Sequence, residues 1–182
     1  MEPSTETKKI SVARNALNYG FLLGITLIIL SLLFYILNVD YQSVAQYISI
    51  VIMIVGMIIG ILAYRKNNNG FITYGQSLGN GVLIGLFSAI LVSIYTIIFF
   101  TLIDPGMIDV ILRQAEEKMI EKNPNMTDEQ IEMAMSYSRK FMTPLSMAIW
   151  GTIMSTVYAF VASLIISIFT RKVDNSFEAN FR

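Results

Sequence analysis

Residues Tyr74–Ile103 read YGQSLGNGVLIGLFSAILVSIYTIIFFTLI, thirty positions without one charged side chain. Coiled as a helix, such a run extends about 45 Å, more than the roughly 30 Å of a bilayer's hydrocarbon core. Its opening, Tyr74 to Gly81, is the polar portion and is expected at the membrane interface, with tilt absorbing the remaining excess. Three other stretches are equally free of charge: Leu17–Leu37, Val44–Tyr64, and the interval between Lys140 and Arg171. Each supplies the about 20 apolar residues that one helical crossing needs. Charged residues make up 14% of the 182 positions, against about 25% in soluble domains. The expected fold is therefore all-α: an integral membrane four-helix bundle with spans at about 17–37, 44–64, 77–103 and 145–170, forming a single membrane domain over 1–182.

The charges that remain are sorted by side. Lys8, Lys9 and Arg14 precede the first span, Arg65 and Lys66 follow the second, and Arg171, Lys172 and Arg182 follow the fourth. Against these eight bases stand four acids, Glu2, Glu6, Asp174 and Glu178, a balance of +4. Asp40 and the third connection, with five bases and eight acids, carry −4. Short basic segments stay in the cytoplasm. Both tails, 1–16 and 171–182, are thus expected inside, and the helical connection 104–143 is expected in the periplasm. The first apolar run is too long for a signal-peptide core and has no small-x-small cleavage pattern, so it reads as a retained span. Cysteine and histidine are absent, which removes disulfides and the commonest proton shuttle and metal ligand.

The third connection has its own helical grammar. Asp104-Pro105 is an N-cap followed by proline, and Ile108, Ile111, Leu112, Ala115 and Met119 then share a face. Asn123-Pro124-Asn125 breaks that helix, and Thr127 with Gln130 has capping-box spacing for another. Ile131, Ala134, Met135, Ser138 and Met142 form the second stripe, before Thr143-Pro144 opens the fourth span. The pattern predicts an extracytoplasmic amphipathic helical hairpin between spans 3 and 4. Because its polar faces are acidic, it is expected to pack on itself rather than rest on the membrane surface.

Small residues recur every four positions in the spans. Gly20 and Gly24, Gly56 and Gly60, Gly81 and Gly85, and Gly151 with Ser155 are the candidates for close helix packing. Such stripes serve either the bundle itself or a contact with a second copy or another membrane protein. No Asp, Glu, Lys, Arg or His lies inside the charge-free runs, which argues against proton-coupled transport and hydrolysis within the bilayer. Asn80, Ser88 and Thr96 are the polar residues that a permeation path would use. Eight of the eleven methionines fall between Met107 and Met154; they read as gap fillers rather than as Cu(I) ligands. Glu116, Glu117, Glu121, Asp128, Glu129 and Glu132 read as solvated helix faces. No nucleotide, zinc-protease or nucleic-acid motif is present, and no cofactor is expected.

The order of these features resembles a known family. Tyr19-Gly20 and Gly24 open the first span, Tyr64-Arg65-Lys66 end the second, and Tyr74-Gly75-Gln76-Ser77 lead into a third that closes at Ile103-Asp104-Pro105. An acidic helical connection and a fourth span entered through Pro144 complete the set. This is similar to the Gram-negative bacterial membrane family catalogued as domain of unknown function 4199. The resemblance implies a bacterial inner-membrane location and a four-span fold, and carries over no catalytic or binding residue. The resulting expectation is a multi-pass inner-membrane protein, not an enzyme. Its contacts are the lipid bilayer and a second copy or membrane protein partner, with no nucleic acid, and it acts through helix–helix or hairpin-mediated association. The alternative is a component for small-solute or ion permeation.

Overall fold

The computed structural model describes residues 10–39 and 45–172. Sequence features at Glu2, Glu6, Lys8, Lys9, Asp40, Val44, Asp174, Glu178 and Arg182 lie outside the described residues. Six α-helices are present among those described: α1 (Val12–Ile36), α2 (Gln46–Asn67), α3 (Tyr74–Ile98), α4 (Met107–Lys122), α5 (Asp128–Phe141) and α6 (Pro144–Thr170). A π-helical turn, Phe99–Ile103, extends α3. Four helical stretches are long and apolar enough to cross a membrane: Val12–Ile36, Gln46–Asn67, Tyr74–Ile103 and Pro144–Thr170. The chain is an all-α membrane protein.

The first and third spans begin earlier than the expected bounds of 17 and 77, at Val12 and Tyr74. Ser11 caps α1 by accepting the Arg14 amide at 3.2 Å, so the helix contains Arg14 and starts five residues before Leu17. At the start of α3, Thr73 and Gln76 form a reciprocal capping box, at 3.0 and 3.2 Å. α1 and α2 end alike. Asn38 and Asn69 take the left-handed conformation, with φ of 51° and 56°. The next amides, on Val39 and Gly70, then reach back to Phe34 and Arg65 carbonyls at 3.0 and 2.9 Å, a Schellman closure.

The chain divides into two compact units, Met1–Leu91 with Met154–Arg182, and Val92–Ile153. In the first, α1 runs antiparallel to α2 and parallel to α3, while α3 runs antiparallel to α6. The contacts that establish this are Asn15 to Gly60 with Leu23 to Gly56, Asn15 to Asn80 with Gly20 to Ile84 and Gly24 to Leu91, and Ser77 to Thr170 with Gly85 to Ala159. Ala16, Leu23, Met57, Ile61, Tyr64, Ile84, Ala159 and Ile166 form its core. An isolated antiparallel bridge joins Ile72 to Lys172, through bonds of 2.8 and 2.9 Å. In the second unit, α4 and α5 make the hairpin, closed at Leu112 and Met135, both buried. Ser93 pairs there with Thr152 and the Ala148 carbonyl, tying the end of α3 to the start of α6.

Candidate functional site

Two polar features stand out, one in each unit. The first is a seam of uncharged side chains at the end of the first unit where that unit's described bases gather. Asn15, one turn into α1, is buried because small residues let α2 and α3 approach it. Its Nδ2 donates to the Gly60 carbonyl at 3.0 Å and to Asn80 Oδ1 at 3.2 Å. Ser77 and Thr170 share a hydrogen bond of 2.7 Å, and Ser163 donates to the Leu78 carbonyl at 2.9 Å. Arg65 Nη1 closes the end of α6 on the Thr170 carbonyl at 3.2 Å. Asn80 Nδ2 and Ser167 Oγ are buried without a partner, and both residues are 0% exposed. In native interiors such orphan donors mark places where water or a polar ligand completes the network. The seam therefore offers neutral donors and acceptors, suited to hydrogen bonding and unsuited to storing a proton.

The second feature is a groove of about 300 Å³ along the hairpin, lined by Asp109, Leu112, Arg113, Glu116, Met135 and Arg139. Arg139 and Asp109 face each other across it at 3.7 Å, both largely exposed. The helices that carry it are well defined at their starts. Asp104 Oδ1 accepts the Met107 amide at 3.1 Å, although regular helix begins two residues after Pro105 rather than at it. Thr127 and Gln130 form the expected capping box. Among the described residues no three carboxylates converge to hold a metal ion.

The glycine candidates separate into two groups. Gly20 faces Ile84 and Phe87, Gly24 faces Leu91, Gly56 faces Leu23, Gly60 faces Ile84 and Tyr19, Gly81 faces Ser163, and Gly85 faces Ala159. All six are occupied by the chain's own helices. Gly151 is exposed and a side chain there would meet nothing within 4 Å; Ser155 is half-buried. The permeation candidates are dispersed. Asn80 joins the Asn15 contact, Ser88 bonds the Gly85 carbonyl at 2.9 Å, and Thr96 bonds the Val92 carbonyl at 2.9 Å. None of these bonds joins one of the three to another. Asn15 and Thr170, both part of the seam, escape sequence reasoning: one stands two residues before the expected start of the first span and the other at the last position of the fourth. Gln76, in the polar opening of the third run, is consumed by its capping box with Thr73.

Apolar crossings, a neutral buried seam and a polar hairpin define a multi-pass α-helical membrane protein. Within that class the chain belongs to the family described as "Protein of unknown function (DUF4199)", whose model matches residues 18–172. No curated protein and no solved structure matches it.

Proposed function

We propose that this chain is a non-enzymatic protein of the bacterial inner membrane, with both termini in the cytoplasm, that works by association through the α4–α5 hairpin. The carrying observation is the hairpin itself. Antiparallel spans need only a short turn, yet α3 and α6 are joined by two capped helices bearing a charged groove. Two folded helices are more than the crossing itself requires, and the segments that connect a rigid scaffold are where binding residues concentrate. The glycines, by contrast, are taken up by internal packing at six of the seven positions weighed, which moves the contact with a partner or second copy to the hairpin.

The orientation rests on charge. Arg14, Arg65, Lys66, Arg171 and Lys172 are the ionised side chains of the first unit among the described residues. The Arg65–Thr170 and Ile72–Lys172 bonds gather the ends that bear them, and such a basic end stays on the cytoplasmic side. A photocrosslinker at Glu117 or Glu132 in living cells is expected to trap a specific neighbour, whereas one at the exposed Ile29 is not. Hairpin probes that trap nothing would end this reading.

A second reading, passage of a small polar solute or ion, is favoured by the orphan donors at Asn80 and Ser167. Flux through reconstituted liposomes that responds to Asn80→Ala and Ser167→Ala would support it; flux indifferent to both would remove it.

A further inference from the structure

We infer that the outer edge of α5 is a lipid-binding face, with Met133, Tyr137 and Phe141 seated in the headgroup boundary of the leaflet at which α6 enters the bilayer. The three residues are spaced by four and so form one line along the helix. They are 57%, 58% and 67% exposed. Ile131, Ala134, Met135, Ser138 and Met142 occupy the neighbouring arc and are buried or half-buried in the hairpin. The apolar surface of α5 is thus far wider than α4 covers. α4 itself leaves one large apolar side chain, Ile120, exposed.

What covers the uncovered arc follows from chain continuity and charge. Phe141 stands three residues before Pro144, the first residue of a membrane-spanning helix, and three residues reach at most about 11 Å. That is close to the depth of about 5–10 Å at which an amphipathic helix beds its apolar face in the interface. Leu145, Ile149 and Trp150, in the first turns of α6, are exposed apolar residues as well. Charge grades along α5 in the matching sense. Asp128, Glu129 and Glu132 sit at the end far from α6 in sequence, and Arg139 and Lys140 at the near end. Lys140 Nζ lies 5.8 Å from the Tyr137 ring centre, a cation and an amphipathic ring side by side, as at a lipid headgroup. This face is opposite in character to the groove, and the hairpin packs on itself and on lipid together.

The full-length protein carrying Trp150→Phe, with Tyr137→Trp, Met133→Trp or Ser136→Trp as the single tryptophan, tests this in vesicles of phosphatidylcholine and phosphatidylglycerol. Tryptophan at 137 and 133 is expected to be quenched by bromine on the lipid chains. Its acrylamide quenching should fall to about half that at 136 or less, as for a helix bedded in the interface. Equal acrylamide quenching at the three positions would overturn the inference. So would shielding at 137 that disappears when the protein is diluted in lipid, since a second copy would then be the cover. Neither result touches the hairpin's contact with a partner, which crosslinking reads separately.

Discussion

The methyl group of Ala159 occupies the space that a side chain on Gly85 would need. Gly85→Ala is therefore expected to force α3 and α6 apart and to cost about 1–3 kcal/mol, the usual penalty of overpacking. Gly151→Ala meets no neighbour within 4 Å and should be neutral, or slightly stabilising by the helix preference of alanine. Unfolding of both variants in detergent measures the contrast, and equal behaviour would contradict the packing described.

Asn15 and Asn80 are linked across α1 and α3. Asn15→Ala leaves the Asn80 oxygen without its donor, Asn80→Ala leaves Asn15 with the Gly60 carbonyl alone, and the double variant removes both amides. A double-mutant cycle should give a coupling of about 0.6–1.7 kcal/mol, as for interhelical hydrogen bonds in membranes. Strictly additive losses would show that the contact contributes nothing.

Thr127 holds the first turn of α5, accepting the Gln130 amide at 3.4 Å. Thr127→Ala is expected to cost about 1 kcal/mol locally, seen as faster amide exchange over the first turn of α5. Arg139→Ala removes an exposed ion pair with a 3.7 Å separation and should change exchange little, since such pairs contribute about 0–1 kcal/mol. The reverse order would assign the hairpin's definition to the ion pair.

The chain has no cysteine, so each introduced thiol is a unique reporter of sidedness. In intact cells whose outer membrane has been permeabilised, an impermeant maleimide should label Glu117→Cys at once. Asn67→Cys, at the exposed end of α2, should react only after the inner membrane is opened. The opposite pattern would invert the orientation proposed.

The spans are legible because lipid solvation demands long uncharged runs, whereas a helix bathed in water needs polar residues on its outer face. Their true starts are less so. The apolar run marks Leu17 as a beginning, but the helix obeys its cap at Ser11 and includes Arg14, which is exposed. The Thr-x-x-Gln spacing that announces α5 stands also at Thr73–Gln76, masked by the charge-free context around it. The stripes of small residues are plain in the sequence, but which neighbour fills each one is set by helix rotation. That rotation depends on pairings as distant as Ser163 with Leu78, and no local pattern encodes it. The Asn15–Asn80 contact is hidden for the same reason.

The latch between Ile72 and Lys172, with the Ser77–Thr170 bond beside it, has a consequence for biogenesis. Partners separated by 93 positions in the chain leave the ribosome far apart in time. The third helix must wait in the membrane with its serine and glycine face unclad until the last helix arrives. A nascent chain halted before α6 leaves Ser77, Gly81 and Gly85 without Thr170, Ser163 and Ala159, the residues that cover them in the finished fold.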